Sequence, residues 1–133
     1  MSKPRSLPQH NRFFALMQAA HNHWPEAHPF QPDSVEHLRA WLLVRAKHCV
    51  INSFHMGEDA GEAAKLLPII TATMMRKHCW AKAKGSELQV CVPISIDFKT
   101  VPQSEFARIC GDVEEIIEAE TGLQIADIMR QAA

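Results

Sequence analysis

No stretch of the sequence approaches the ~20 consecutive apolar residues that a membrane-spanning helix needs, so no membrane span is expected. The basic residues 1–7 lead into the polar string Pro8-Gln9-His10-Asn11. A secretory signal would continue into an apolar stretch there, so an intracellular, cytoplasmic protein is expected. Four cysteines, Cys49, Cys79, Cys91 and Cys110, stand far apart and form no C-x-x-C, which favours reduced thiols over a disulfide framework. The sequence also lacks G-x-G-x-x-G, G-x-x-x-x-G-K-[ST] and G-x-S-x-G. Nucleotide binding through those loops and serine-hydrolase chemistry are therefore not expected.

What is present is the composition of one ordinary domain. The 133 residues are 47% hydrophobic and 22% charged, long enough to bury a core without a disulfide or metal staple. A single domain over residues 1–133 is expected, with a possible insertion at about 57–86. The net charge of −1 argues against a strongly basic nucleic-acid binder, yet it conceals an asymmetry. Residues 1–86 carry eleven Lys/Arg against six Asp/Glu, whereas residues 87–133 carry three against nine. All eight histidines lie at or before His78. This polarity permits an anion-binding face beside an acidic one.

Along the chain, Ser6-Leu7-Pro8-Gln9 reads as a capped helix start, followed by Phe13, Phe14, Met17 and Ala20 at helical spacing. Trp24-Pro25 should end that helix, and Pro25, Pro29 and Pro32 make the next stretch a loop. A second helix begins at Asp33 or Ser34, with Val35, Leu38, Trp41, Leu42 and Cys49 on one face. Arg45 falls in the middle of that face, so either its stem snorkels outward or a carboxylate meets it.

A short strand at 49–54 and a turn at Gly57-Glu58-Asp59-Ala60-Gly61 precede a third helical region, expected to run to about Lys84 and to end at Gly85. Pro68 either kinks this helix or marks its true start. Residues 88–98 alternate as an edge or bulged strand interrupted by Pro93. Thr100-Val101-Pro102-Gln103 repeats the first capping arrangement and starts the last long helix, which Gly122 ends. Leu123, Ile125, Ile128 and Met129 suggest a short final turn or helix. The class expected is α+β, with three to four helices packed with a small antiparallel sheet or hairpin.

Of the candidate chemistries, the carboxylates of the last long helix lie on its solvated side, where no acid–base pair is set up. The pairs His48-Cys49 and His78-Cys79 lack the spacing of a zinc site, and a thiol role is the default. No catalytic residue, metal or cofactor is expected. The informative cluster is Arg76-Lys77-His78-Cys79-Trp80-Ala81-Lys82-Ala83-Lys84. On a helix, Arg76, Lys77, Trp80 and Lys84 share one side, placing an aromatic plane among cations able to hold phosphates and stack a base. Arg5 and Arg12 are candidate extensions of that face. The alternative is a core tryptophan with cations placed to suit a helix C-terminus.

The opening Pro4-Arg5-Ser6-Leu7-Pro8-Gln9-His10-Asn11-Arg12-Phe13-Phe14 resembles the R-S-L-x-Q-x-R-x-[FW] start of small bacteriophage proteins, including the NinB/Orf recombination-mediator family of lambdoid phages. It is also similar to a related phage family of unknown function, with blocks like Leu42-Leu43-Val44-Arg45-Ala46-Lys47-His48-Cys49 and residues 94–106 in the same order. Residues 57–86 depart from that pattern, and Arg45 and Lys47 stand where an acidic residue and a glycine belong. The resemblance implies a phage or prophage origin, action inside a bacterial host cell, an α+β fold and, for the mediator branch, homodimers that bind single-stranded DNA in recombination. The leading expectation is thus a non-enzymatic recombination accessory that binds single-stranded DNA. The alternative is a phage-encoded inhibitor of a host nucleic-acid-guided defence complex, acting by protein–protein interaction, either with the acidic segment 105–120 as a phosphate mimic or with the basic face occupying a protein partner. A metal-dependent nuclease rests only on scattered His and Asp.

Overall fold

A computed structural model describes residues 7–94 and 101–132 of the chain. Five helices, one 3-10 turn and three strands follow in the order α1 (Leu7–Asn22), α2 (Val35–Arg45), β1 (Cys49–His55), the 3-10 turn (Gly57–Asp59), α3 (Ala60–Met75), β2 (Trp80–Lys84), β3 (Glu87–Pro93), α4 (Gln103–Thr121) and α5 (Ile125–Ala132). The α+β class expected from sequence holds, with five helices among the described residues and a three-stranded antiparallel sheet. Contacts gather the chain into two compact units, residues 1–46 with 95–133, and residues 47–94. The second unit contains the 57–86 stretch read as an insertion.

The first unit is helical. Phe13, Leu16 and Met17 of α1 are buried, as are Leu38 and Leu42 of α2, Phe106, Ile109, Val113 and Ile117 of α4, and Ile128 of α5. The i, i+3, i+4, i+7 spacing of these residues is what gives each helix one apolar stripe. Phe13 and Phe106 meet edge-on, with ring centroids 5.3 Å apart. Of the two candidate caps for α2, Ser34 is the one used: its hydroxyl accepts from the His37 backbone N–H. That helix stops at Arg45, so Cys49 does not extend its face and instead begins β1. The two turn-opening caps proposed at Ser6 and Thr100 lie outside the described residues. Gly122 ends α4 in the left-handed conformation with φ 73°.

The second unit is a sheet with one helix. Strand order is β1-β3-β2, both pairings antiparallel, so β1 and β2 are the edges. Leu88, Val90 and Cys79 form its buried centre, against which Ala63, Ala64 and Leu67 of α3 and Ala81 of β2 pack. Here the structure corrects the sequence reading. The third helix does not run to Lys84; it ends at Met75, with Arg76 in the left-handed conformation at φ 53°. Residues 80–84 form β2, and Gly85, with φ 62°, belongs to the Gly85-Ser86 turn into β3 rather than to a helix end. Pro68 lies inside α3, and the helix continues through it. β3 ends at Pro93, and the part of the expected strand at 95–98 lies outside the described residues.

Candidate nucleic-acid interface

The string Trp80-Ala81-Lys82-Ala83-Lys84 alternates with period two, and in a strand that alternation sorts residues onto opposite faces. Ala81 points with Leu88 and Val90 into the unit's core under α3. Trp80, Lys82 and Lys84 therefore point to the other face of the sheet. Register fixes their neighbours across three strands. Trp80 lies beside Cys91 of β3, with Ile51 beyond it on β1; Lys82 lies beside Gln89, with Ser53 beyond; and Lys84 lies beside Glu87, with His55 beyond. Trp80, Cys91 and Gln89 are half-buried, whereas Lys82, Lys84, Ser53 and Ile51 are exposed.

The structure thus breaks the helical face drawn from Arg76, Lys77, Trp80 and Lys84, because these residues share no helix. It keeps Trp80 with Lys84 and adds Lys82, which helical spacing had left out. Arg76 and Lys77 are exposed in the connection from α3 to β2, where both backbone N–H groups donate to the Thr71 carbonyl. Arg12 belongs to the other unit and pairs with Glu114 at 2.9 Å. Arg5 lies outside the described residues.

Electrostatically the face is mixed. Glu87 is its carboxylate; its Oε1 lies 3.4 Å from His55 Nδ1, and it stands beside Lys84 across the strand pair. Lys82 has no acidic cross-strand neighbour, since Gln89 stands beside it. Cys91 adds no charge at neutral pH. Burial, and then the hydrogen bond and charge of Cys49, push its thiol up to about 11. The surface presents an aromatic ring, a row of ammonium groups and amide and hydroxyl neighbours. Those groups match a sugar–phosphate chain with a base laid on the indole.

The acidic helix is more committed than its sequence suggested. Glu114 holds Arg12, Glu118 accepts the backbone N–H of Ile125 at 3.1 Å, and Glu120 receives both His28 at 2.5 Å and Arg45 at 3.6 Å. Glu105 and Glu115 remain exposed. Arg45 resolves both ways at once: its side chain is 61% exposed, lies 5.7 Å from the Trp41 ring centre and also meets a carboxylate.

Sequence reading missed the aromatic group that surrounds this contact. Phe30 stacks on Trp41 at 4.7 Å, Trp24 stands edge-on to Trp41 at 5.6 Å, and the Trp24 indole N–H donates to the Phe30 carbonyl. A cleft of about 520 Å³ opens beside them, lined by His28, Pro29, Phe30, Trp41, Arg45 and Glu120. The signal was the spacing of aromatics around Pro25, Pro29 and Pro32, a loop that needs an anchor. Its polar groups are occupied with one another, which describes a loop clamp. Among the described residues no group of three His, Cys, Asp or Glu is placed to hold a metal ion, and no helix is long and apolar enough to cross a membrane. Compared with known protein families, curated proteins and solved structures, the chain matches none.

Proposed function

We propose that the protein is a non-enzymatic accessory that binds single-stranded DNA on the open face of the β1-β3-β2 sheet, in the manner of a phage recombination accessory. The observation that carries this reading is the alternation that sets Trp80, Lys82 and Lys84 on one sheet face, away from α3. Trp80 supplies a stacking plane, worth about 1–3 kcal/mol per base in single-strand binders. Lys82 and Lys84 neutralise phosphates along the edge strand, and Arg76 and Lys77 extend the positive path at its start. Sequence preference is weak, because stacking and phosphate contacts are shared by all bases. The phage origin follows from the resemblance of residues 4–14 and stands as part of the same proposal.

Anisotropy of a labelled single-stranded oligonucleotide across a salt series tests it. The expected result is affinity that falls steeply with salt, drops roughly tenfold or more in Trp80→Ala, and is lost in Lys82→Glu/Lys84→Glu. Lys65→Glu, an exposed cation on α3, should bind as the parent does. Absence of binding at low salt, or binding indifferent to salt and to these substitutions, rejects the proposal and turns the search to protein partners.

A further inference from the structure

The fold places the four cysteines in different surroundings. Cys110 lies on α4, in the other unit. Cys79 is buried with Leu88 and Val90 on the α3 side of the sheet, its Sγ 3.4 Å from Thr71 Oγ1. Cys49 and Cys91 share the opposite, open face. Register pairs Cys49 with Pro93 and Ile51 with Cys91, so the two cysteines are diagonal neighbours on adjacent strands, both on the side of Trp80. Both are half-buried, and the Cys91 thiol is hydrogen-bonded to Cys49. Seven consecutive residue pairs hold β1 against β3, so the contact is fixed by the ladder.

Two thiols in contact on paired strands are set up to close to a disulfide. The placement also selects the kind of disulfide. An ordinary one spans Cβ atoms about 3.5–4.5 Å apart, whereas diagonal neighbours of an antiparallel pair stand wider than directly opposed ones. Closure draws the strands away from ideal pairing, and a bond closed at that cost is readily reduced again, unlike a permanent staple. The two sulfurs are not equivalent. Burial first, and then the hydrogen bond and charge of Cys49, hold the proton on Cys91. Thiol–disulfide exchange starts from a thiolate, so Cys49 attacks first and Cys91 follows.

We propose that Cys49 and Cys91 form a reversible redox site, in which Cys49 attacks a small-molecule disulfide and Cys91 resolves the adduct into a cross-link between β1 and β3. With glutathione disulfide, the Cys49 thiolate bonds to one sulfur and the first glutathione thiolate leaves. Cys91 then loses its proton, its sulfur bonds to Cys49 Sγ, and the second glutathione thiolate leaves. Each proton given up by a protein thiol ends on a glutathione thiol. Two protein thiols are thus oxidised to one disulfide, and one glutathione disulfide is reduced to two thiols. The chemistry is independent of nucleic-acid binding, although the cross-link lies beside Trp80.

The test treats the folded full chain with glutathione disulfide at neutral pH, blocks the remaining thiols with N-ethylmaleimide, and reads the masses of the whole protein and of its tryptic peptides. Trypsin leaves the four cysteines on four different peptides. The expected product lacks two hydrogen atoms, joins the Cys49 peptide to the Cys91 peptide, and is reopened by reduced glutathione. Cys91→Ser should stop at a glutathione adduct on Cys49. In Cys49→Ser, Cys91 should react about tenfold or more slower than in the urea-unfolded chain, because its burial remains. Cys110→Ser should close the bond as the parent does. A cross-link that maps to Cys79 or Cys110, a bond between two copies of the chain, or separate adducts on Cys49 and Cys91 that never close overturns the proposal. So does a folded chain that stays unreacted while the urea-unfolded chain reacts, or a bond that reduced glutathione leaves closed.

Discussion

Cys91 shows what a single side chain gains from its place in a sheet. Burial, and then the hydrogen bond and charge of Cys49, raise the thiol to about 11 from an ordinary 9.0. A thiol whose folded value lies above its unfolded one supports folding fully below pH 9, and that support is lost as pH rises through 11. Alkylation of native Cys91 by iodoacetamide, followed by mass spectrometry, should therefore stay slow at pH 8 and accelerate toward pH 11. Labelling at pH 8 as fast as in the unfolded chain would contradict the assignment. Cys79 is different in kind: it is buried, and its Sγ lies 3.4 Å from Thr71 Oγ1, which suits a packing role. Residue-level chemistry of this sort was not legible in sequence. The spacing of the cysteines excluded C-x-x-C motifs but gave no hint that Cys49 and Cys91 share one side of a sheet.

At the scale of elements, α3 carries an internal cost. Pro68 has no N–H to give the Ala64 carbonyl, and the Thr71 hydroxyl one turn on donates to the Leu67 and Pro68 carbonyls, at 3.0 and 3.1 Å, rather than to that one. Pro68→Ala should raise stability by roughly 2 kcal/mol, the helix-interior penalty of proline less the freedom its ring removes from the unfolded chain. A urea midpoint unchanged or lowered would show that the ring packs better than its backbone fits. The helices of the first unit were readable from sequence because Phe13, Leu38, Leu42, Phe106, Ile109 and Ile117 keep one period throughout. Ser34 and Gly122 were readable because caps have local chemistry. The α3–β2 boundary was not. Arg76 and Lys77 are good helix residues, no glycine or proline follows Met75, and the break depends on a left-handed arginine that nothing local demands. The alternation in Trp80-Ala81-Lys82-Ala83-Lys84 was the available signal, and the misread helix hid Lys82 from the candidate site.

Across the whole molecule the two units rest on cores of different size. The helical unit buries large side chains on α1, α2, α4 and α5, whereas the sheet unit is centred on Cys79, Leu88 and Val90 with small alanines around them. Amides of β1, β2 and β3 should therefore exchange with deuterium through openings of lower free energy than amides of α1 and α4. Equal protection in both, at a concentration where the chain is monomeric, would mean that the units open as one. The sheet's two edges also differ in a way that bears on fibre formation. β2 ends the sheet with Lys82 and Lys84, charges that discourage another strand from joining, while β1 is a seven-residue edge without lysine, arginine or proline and is largely exposed. A cross-strand fibre grows only if each added sheet offers a fresh edge at its far side. With β2 guarded, one sheet added at β1 presents no second open edge, so strand addition ends where it begins.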